Sequence, residues 1–369
     1  MNIEHLIRPN IRNLEPYTPI LPFEVLSRQL GVDPADIIKL DANENPYGPS
    51  PRVAQALAQA AYLHIYPDPE CRDLRAALAD YTGLDADYIL VGHGADELID
   101  LLFRLVTEPG DVVINCPPTF GMYSFDAAVN AAEVINVRRR PDFSLPVDAV
   151  EAAFPHPALW DAPSGVPKLI FVTAPNNPDG GWLSDDDLRR LLALPALVVL
   201  DEAYIEFSAH PSRFTWVRDY PNLIVLRTFS KWAGLAGLRV GYGAFPLAII
   251  EHLWKIKQPY NVNVAGQLAA LVSLEDREYL LANVARIVDT RQQFYTALQG
   301  IDWLEPFPSQ TNFILCRVHG RPAAEVKQAL ARQGILVRYY STDGLRDCLR
   351  ISIGTPEQMT RLETALKQL

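Results

Sequence analysis

Three short apolar runs, each followed at once by polar residues, constrain the fold of this chain most strongly. The runs are Leu169–Thr173, Leu197–Leu200 and Leu223–Leu226. Each has the length and the composition of a buried strand. In an open α/β sheet, the ligand binds at the carboxyl ends of the strands. The runs therefore predict an α/β fold with a ligand site formed by the polar residues that follow them.

The segment after the third run carries a reactive amine. It places the hydroxyls of Thr228 and Ser230, the amine of Lys231 and the guanidinium of Arg239 among small residues. A bound anion would meet both hydroxyls and the guanidinium, and glycines let the backbone approach a ligand closely. Lysine is the side chain that forms imines with carbonyl compounds, including pyridoxal phosphate. A solvated lysine and arginine on a glycine-rich loop is the simpler alternative for this segment alone.

The end of the second run offers a partner for such a cofactor. Asp201 follows Leu200 directly, and Glu202 and Tyr204 come after it. Pyridoxal chemistry needs a carboxylate at the pyridinium nitrogen, which keeps the ring protonated and electron-withdrawing. Asp201, at the end of a buried strand, could supply that carboxylate.

The ordered set of Asn176–Gly180, Asp201–Tyr204 and Ser230–Arg239 resembles the aspartate-aminotransferase superfamily of pyridoxal-phosphate enzymes. Within it, the chain resembles the histidinol-phosphate aminotransferases, through Asp41–Ser50, Tyr66–Pro69, Gly92–Glu97 and Pro117–Tyr123. The resemblance extends from about Leu14 to the C-terminus. It departs from the family pattern at Asp179, where threonine is usual, and at Phe120, where tyrosine is common.

The resemblance implies the pyridoxal-phosphate-dependent transferase fold of the aspartate aminotransferase type. Its large domain would hold a mostly parallel seven-stranded sheet, with a smaller α/β C-terminal domain beside it. We expect residues 1–45 to form an N-terminal arm and part of the small domain, residues 46–270 the large domain, and residues 271–369 the small one.

The resemblance also implies roles for individual residues around the cofactor. Lys231, Asp201 and Tyr204 would be catalytic, with Lys231 forming the imine, and Tyr204 and Asn177 would bond the phenolic oxygen of the cofactor. Phe120 would stack on its ring. The phosphate would be held by the backbone amides at the start of a predicted helix, by side chains after the third run, and by a tyrosine from a second subunit. These phosphate ligands are Gly94, Ala95, Asp96, Thr228, Ser230, Arg239 and Tyr66.

Five further residues are implied at the substrate end of the pocket: Tyr17, Asn43, Tyr260, Arg338 and Arg350. Arg350 lies in an apolar strand pattern, where a charge is costly unless it is paired. A guanidinium suits a substrate carboxylate geometrically. Arg338, on the preceding strand, is the candidate for a second anion, either a substrate phosphate or the distal carboxylate of glutamate. The basic residues Arg138–Arg140 are interpreted as a solvated edge.

Composition limits the partners and the compartment. The formal net charge of −11 disfavours broad binding to nucleic acid or to an anionic membrane. The four cysteines have no metal-type spacing and are expected to be buried free thiols. With no secretion signal and no apolar run of spanning length, the expected location is the cytoplasm. The resemblance adds a homodimer with active sites shared between subunits.

The implied activity is the interconversion of histidinol phosphate and imidazole-acetol phosphate, with glutamate and 2-oxoglutarate as the other pair. Three alternatives remain open. An aromatic-amino-acid aminotransferase could use the same pocket and both arginines. A decarboxylase of the threonine-phosphate type would release carbon dioxide. A cofactor-sensing regulator would be expected to carry a basic DNA-binding extension, which this sequence does not show.

Overall fold

Two sheets organise the chain in a computed structural model that describes residues 3–16, 23–155 and 165–369. In spatial order, the seven strands of the large sheet are β2 (Ile89–Gly92), β8 (Gly241–Ala244), β7 (Leu223–Thr228), β6 (Leu197–Asp201), β5 (Leu169–Thr173), β3 (Val112–Asn115) and β4 (Glu133–Asn136). The five strands of the small sheet are β1 (Ile38–Leu40), β11 (Ile335–Tyr339), β12 (Cys348–Ser352), β10 (Phe313–Val318) and β9 (Leu304–Pro306).

The large sheet is parallel from β4 to β7, and β8 runs antiparallel to both of its neighbours. This confirms the predicted mostly parallel seven-stranded sheet. The three apolar runs lie side by side as β5, β6 and β7. Thr173 pairs with Asp201 at the carboxyl ends of β5 and β6, so the polar residues after these strands meet at one edge of the sheet.

Both faces of the large sheet are covered, which is why its central strands are continuously apolar. Alternate residues of β5 enter two different cores: Ile170 and Val172 join one, Leu169 and Phe171 the other. The helices of the described residues are α1 (Pro9–Arg12), α2 (Phe23–Leu30), α3 (Pro51–Ala58), α4 (Arg72–Thr82), α5 (Gly94–Val106), α6 (Met122–Val129), α7 (Val147–Ala152), α8 (Asp185–Leu192), α9 (Leu247–Ile256), α10 (Val264–Glu275), α11 (Arg277–Gln299), α12 (Ala323–Ala331) and α13 (Pro356–Gln368).

Local sequence signals set several helix ends. Gly83 adopts a left-handed conformation (φ 73°) and ends α4, as predicted. The side chain of Ser184 accepts a hydrogen bond from the Asp187 N–H at the start of α8. Thr355 and Gln358 form a reciprocal capping box at the start of α13.

Three elements are shorter than their patterns predict. The helical region 264–299 is interrupted at Asp276, whose backbone is not helical (φ −105°, ψ 27°) and whose carboxylate accepts a hydrogen bond from Ser50 Oγ. The sequence pattern of residues 133–140 predicts a strand, which in the structure ends at Asn136. That of residues 145–154 predicts a helix, which covers only Val147–Ala152. The proline-rich residues 156–167 predict an exposed loop, and they lie mostly outside the described residues.

Strand β1 belongs to the small sheet, where it pairs in parallel with β11. This pairing brings the residues that follow β1 to the end of β12, beside the edge of the large sheet. The boundaries at residues 45 and 270 stay predictions.

The N-terminal residues contact their own chain. Arg8 donates to the Val129 carbonyl, and Asn10 Nδ2 donates to the Ala128 carbonyl at 2.7 Å, both at the end of α6. Within the described ranges, the structure contains no helix that is long and apolar enough to cross a membrane.

Candidate active site

A cavity of about 130 Å³ lies at the carboxyl ends of β5, β6 and β7. Most of the predicted cofactor residues line it. They are Ala95, Asp96, Phe120, Asn177, Asp201, Tyr204, Thr228, Ser230, Lys231 and Arg239, joined by Thr173, Ala203 and Ala236. Of the twelve predicted cofactor residues, only Gly94 and Tyr66 are outside this lining.

Lys231 is held in the loop that follows β7. The Ser230 N–H donates to Thr228 Oγ1 at 3.0 Å, and Thr228 Oγ1 donates to Ser230 Oγ at 2.9 Å, which fixes the turn into the loop. Lys231 Nζ lies 3.5 Å from the Ala42 carbonyl oxygen. Burial, with a smaller contribution from the Arg350 charge, lowers the pKa of Lys231 to about 8. Near neutral pH, an appreciable fraction of this amine is therefore unprotonated and nucleophilic.

Asp201 ends β6 as a buried carboxyl group. Its Oδ1 accepts from the Ala203 N–H at 2.9 Å, and its Oδ2 lies 2.6 Å from the Tyr123 hydroxyl. Burial raises the pKa of Asp201 above its ordinary value. Tyr123 was not among the predicted site residues. It is on α6, and its ring is fully buried against Phe171.

Phe120 lies between the inner cavity and a larger outer one. It lines both, and its ring meets Tyr123 edge-on with centroids 5.6 Å apart. The prediction that Phe120 stacks on a bound ring stays a prediction. Its place at the boundary fits that role, since it faces the space above Asp201 and Lys231.

The start of α5 forms another wall of the inner cavity. Gly94, Ala95 and Asp96 are its first residues, and the first four N–H groups of a helix have no intrahelical partner. Gly241 on β8 lets the start of α5 pack closely against the sheet, since a Cβ at this position would lie 2.3 Å from the Ala95 nitrogen. A helix N-terminus of this kind attracts phosphate.

The contacts of Asp96 differ in part from the role predicted for it. Only its backbone amide was expected to act at the site, but its carboxylate also pairs with Arg239, at 2.6 Å between Oδ2 and Nη2. A Cβ on Gly94 would collide with the same guanidinium, at 2.5 Å from Nη2. Gly94 therefore leaves room for Arg239 at the helix start.

Asn43, Tyr204 and Ser352 join the two sheets through buried hydrogen bonds. Asn43 Nδ2 donates to the Tyr204 hydroxyl at 3.0 Å, and Ser352 Oγ donates to Asn43 Oδ1 at 2.9 Å. Asn43 has a backbone φ of 56°, which is uncommon for residues other than glycine. The contribution of Ser352 was not anticipated from the sequence, because Asn43 and Ser352 are 309 positions apart.

Arg350 is buried in β12 and points into the region between the sheets. It donates from Nη1 to Asn177 Oδ1 at 2.6 Å and from Nη2 to the Asp41 carbonyl at 2.7 Å, and its buried Nε has no hydrogen-bond partner among the described residues. Arg350 is not a solvated arginine on an edge strand, since β12 has a strand on each side. Asn177 was expected to serve the cofactor alone, yet its Oδ1 is bonded to Arg350. Its Nδ2 group is the donor left for a ligand.

The outer cavity measures about 1020 Å³ and contains both predicted substrate arginines. Arg338 on β11 lies directly opposite Arg350 on β12, so the two like charges share one face of the small sheet. Such a pair is unfavourable unless an anion compensates it. The ring of Tyr340 lies 5.4 Å from Arg338 Cζ and 5.8 Å from Arg350 Cζ.

The segment Arg138–Arg140 also lines the outer cavity, so its interpretation as a solvated edge is incomplete. Arg138 is largely exposed, and its Nη2 lies 3.7 Å from Oδ2 of Asp343, in the segment between β11 and β12. Arg139 Nε donates to the Cys116 carbonyl at 3.2 Å. These residues form the rim of the cavity.

Besides Gly94, three predicted residues do not line either cavity. Tyr66 and Tyr260 are exposed, at 78% and 42%, and their rings stack with centroids 4.6 Å apart. Tyr17 lies outside the described residues.

The residues of the inner cavity fit pyridoxal phosphate. An amine of lowered pKa and a buried carboxyl group flank the space, and helix amides, two hydroxyls and a guanidinium supply donors for a phosphate. The unpartnered Nε of Arg350 adds a buried donor that a substrate anion could use.

The chain was compared with known protein families and structures. The family model of the class I and II aminotransferases matches residues 35–366. Histidinol-phosphate aminotransferase 1, chloroplastic, of Arabidopsis thaliana is 55% identical over 366 residues, which cover 99% of this chain and 86% of that protein. The histidinol-phosphate aminotransferase of Roseiflexus castenholzii is 49% identical over 100% of this chain and 99% of its own length.

Solved structures agree with these relatives. The crystal structure of histidinol-phosphate aminotransferase from Sinorhizobium meliloti in complex with pyridoxal-5'-phosphate superposes with a TM-score of 0.85 at 30% identity, covering 98% of this chain and 96% of that one. An aspartate aminotransferase double mutant from Thermus thermophilus has a TM-score of 0.81 at 21% identity, which shows the shared fold. Together these matches confirm the predicted fold type.

Proposed function

Because the chain belongs to the class I and II aminotransferases, within the family of the histidinol-phosphate aminotransferases, we propose that it transfers an amino group between histidinol phosphate and 2-oxoglutarate. The products are imidazole-acetol phosphate and glutamate, in histidine biosynthesis. The observation that carries the proposal is the position of Lys231 between the buried acid Asp201 and the opposed arginines Arg338 and Arg350.

Pyridoxal phosphate, when bound, supplies an aldehyde carbon for an amine and a ring that accepts electrons from the substrate carbon. Lys231 would hold it covalently, and its amine, once released, would move the proton to and from the substrate carbon. Asp201 would hold the ring nitrogen, and Tyr204 with the Asn177 amide would donate to the ring oxygen. Arg239, Ser230, Thr228 and the first amides of α5 would hold the phosphate.

The two arginines of the small sheet explain how one site could serve two substrates. Arg350, buried and partly unpartnered, would bind the carboxylate of glutamate or 2-oxoglutarate. Arg338 is nearer the rim and would bind the phosphate of histidinol phosphate or the distal carboxylate of the other substrate. The same two guanidiniums would thus serve both substrates in turn.

The test is a transamination assay on the purified protein. Incubation with pyridoxal phosphate, histidinol phosphate and 2-oxoglutarate should produce glutamate. Phenylalanine in place of histidinol phosphate should react far more slowly, and carbon dioxide should not be released. Faster turnover of phenylalanine would support the aromatic-amino-acid alternative, and carbon dioxide release would support the decarboxylase.

Replacing Arg338 should separate the two substrates. Arg338→Ala should raise KM for histidinol phosphate by about 10- to 100-fold, since one hydrogen bond to a charged group contributes roughly 1.5–3 kcal/mol. The loss for glutamate should be smaller. Steady-state kinetics with both substrates measure the difference, with Arg332→Ala, an exposed arginine at the end of α12, as the control. Equal losses for both substrates would contradict a larger contribution to phosphate binding and point to a general role of Arg338 in binding anions.

We also propose a homodimer whose active sites are shared. The segment that contains Tyr62, Leu63, Ile65 and Tyr66 exposes large apolar side chains, each at least 52% exposed. Exposed apolar surface of this kind is typical of an interface. Tyr66 of one subunit would reach the cofactor phosphate of the other.

Tyr66→Phe should weaken cofactor retention by roughly 10- to 100-fold, because it removes one hydrogen bond to a charged phosphate. Equilibrium titration with pyridoxal phosphate measures the affinity of the variant for the cofactor. Tyr62→Phe, an exposed tyrosine of the same segment, is the control and should bind normally. Unchanged affinity in Tyr66→Phe, or a monomer in sedimentation, would contradict the shared site.

The proposal places the enzyme in the cytoplasm. Cys71, Cys116, Cys316 and Cys348 are all buried and free, as expected from the sequence. Free thiols of this kind fit a reducing compartment.

A further inference from the structure

A continuous line of hydroxyl groups connects Asp201 to the loop after β5. The Tyr123 hydroxyl lies 2.6 Å from Asp201 Oδ2 and 2.8 Å from Thr173 Oγ1. Thr173 Oγ1 lies 3.2 Å from Thr119 Oγ1, which in turn lies 2.9 Å from Asn176 Oδ1. We call Tyr123, Thr173 and Thr119 the hydroxyl chain.

The far end of the hydroxyl chain has a fixed acceptor. Asn176 Nδ2 donates to the Pro118 carbonyl at 3.1 Å and to the carboxylate of Asp179, which is itself 2% exposed. Asp179 also accepts from the Gly181 N–H at 2.7 Å. With both protons of its amide group directed to these acceptors, Asn176 can offer only its oxygen to Thr119.

Counting protons shows which charge state of Asp201 the hydroxyl chain favours. Four contacts join Asp201, the three hydroxyls and Asn176, and each needs one proton. The hydroxyls supply three, because each has a single O–H group. When Asp201 is protonated, it supplies the fourth, and every group donates in the direction of Asn176. When Asp201 is ionised, Tyr123 must donate to it, and one contact along the line lacks a proton.

The surroundings of Asp201 agree with a neutral acid. Burial raises the pKa of Asp201, and the charge of Asp96 on α5 acts in the same direction. The pKa of Tyr123, raised by burial, keeps its hydroxyl protonated. The hydrogen bonds from Tyr123 and from the Ala203 N–H, together with the charge of Lys231, favour the carboxylate, but burial outweighs them and the pKa of Asp201 is raised. Tyr204 also lies nearby, and burial raises its pKa to about 12.

We propose that the hydroxyl chain holds Asp201 as a neutral acid in the cofactor-free protein, and that Tyr123 turns its O–H toward Asp201 when the cofactor binds. The Asp201 proton passes to the ring nitrogen of pyridoxal phosphate, which becomes a cation, and the carboxyl group becomes a carboxylate that accepts from Tyr123. Tyr123, Thr173 and Thr119 are thus positioning residues that act through Asp201. The second half of this inference rests on the proposed function, since it needs pyridoxal phosphate.

Thr173 offers a matched pair of variants. Thr173→Val keeps the shape but removes the hydroxyl, so Tyr123 has no acceptor for its proton and can only donate to Asp201. The variant should therefore favour the carboxylate even without cofactor. Thr173→Ser keeps the hydroxyl and should resemble the unchanged protein.

Infrared difference spectroscopy on the full-length protein, stripped of cofactor, tests the claim that Asp201 is neutral when no cofactor is bound. The protonated-carboxyl band of Asp201 is identified by its loss in Asp201→Asn. This assignment is needed because burial also raises the pKa of Asp126, Asp179, Glu202 and Glu206, whose carboxyl groups would absorb in the same region. The band should be present in the unchanged protein and in Thr173→Ser and lost in Thr173→Val. Uptake of pyridoxal phosphate by Thr173→Val, seen in its visible absorbance, shows that the site is folded.

An Asp201 band that is absent from the unchanged protein, or retained in Thr173→Val, would overturn the inference. Adding pyridoxal phosphate to the unchanged protein should remove the band. A band that persists with bound cofactor would overturn the claim that Asp201 loses its proton when the cofactor binds. These readouts need no turnover. A protein that behaves as stated but makes no glutamate would contradict the proposed function and leave the hydroxyl chain intact.

Discussion

Lys231→Ala should abolish the visible absorbance of bound pyridoxal phosphate and reduce transamination by about 10⁴-fold, at the upper end for loss of a general base. The variant lacks both the amine that holds the cofactor and the group that moves the substrate proton. The fold should be unaffected, because the contacts of the Lys231 amine with the described residues are weak: a 3.5 Å hydrogen bond to the Ala42 carbonyl and the Tyr204 ring 5.9 Å away. Absorbance spectra and single-turnover kinetics measure the two losses.

Lys255→Ala is the matched control for this experiment. Lys255 is an exposed lysine on α9 that pairs with Glu251 at 3.3 Å, away from both cavities. Its removal should leave absorbance and turnover unchanged. Retained turnover in Lys231→Ala would remove Lys231 from its proposed role, whatever the control shows.

Arg350→Ala should reduce kcat/KM for glutamate and 2-oxoglutarate by about 10²- to 10⁴-fold, and by less for histidinol phosphate, which carries no carboxylate. Two charge-assisted hydrogen bonds to a substrate carboxylate, at roughly 1.5–3 kcal/mol each, correspond to that range. Arg350→Lys should recover only part of the loss, because an ammonium keeps the charge but not the planar fork. Circular dichroism controls for folding, since the variant also leaves Asn177 and the Asp41 carbonyl without their partner.

The same variant should change the pH dependence. The Arg350 charge helps to lower the pKa of Lys231 to about 8, so removing it should raise that pKa. The reactive form of Lys231 is the neutral amine, which is present above its pKa. Binding of pyridoxal phosphate by cofactor-free Arg350→Ala should therefore become half-maximal at a higher pH than in the unchanged protein. An unshifted or lowered midpoint would contradict the coupling of these two groups.

Much of the site could be predicted because its residues follow strands in the sequence. Lys231 and Asp201 come directly after apolar runs, and parallel strands bring their carboxyl ends together whatever the details of packing. The start of α5 was predicted for a similar reason, since a glycine-rich turn before a helix is a local signal. These features depend on few neighbours along the chain.

The features of the site that were not predicted from the sequence depend on contacts between segments that are distant along the chain. Tyr123 lies in the interior of a helical pattern, and its partner Asp201 is 78 positions away. Nothing local distinguishes it from a core aromatic residue. Arg139 was assigned to a solvated edge because its neighbours are basic, whereas tertiary packing directs it toward the Cys116 carbonyl. The sequence could not predict how Asp96 and Arg239 pair, because that depends on how close β8 comes to α5.

Reductive labelling tests most directly the claim that the amine of Lys231 carries the cofactor. The protein with bound pyridoxal phosphate is reduced with borohydride, digested, and its peptides are analysed by mass spectrometry. We expect the pyridoxyl label on Lys231, in a peptide that includes Ser230. A label on any other lysine, or no label at all, would contradict the account.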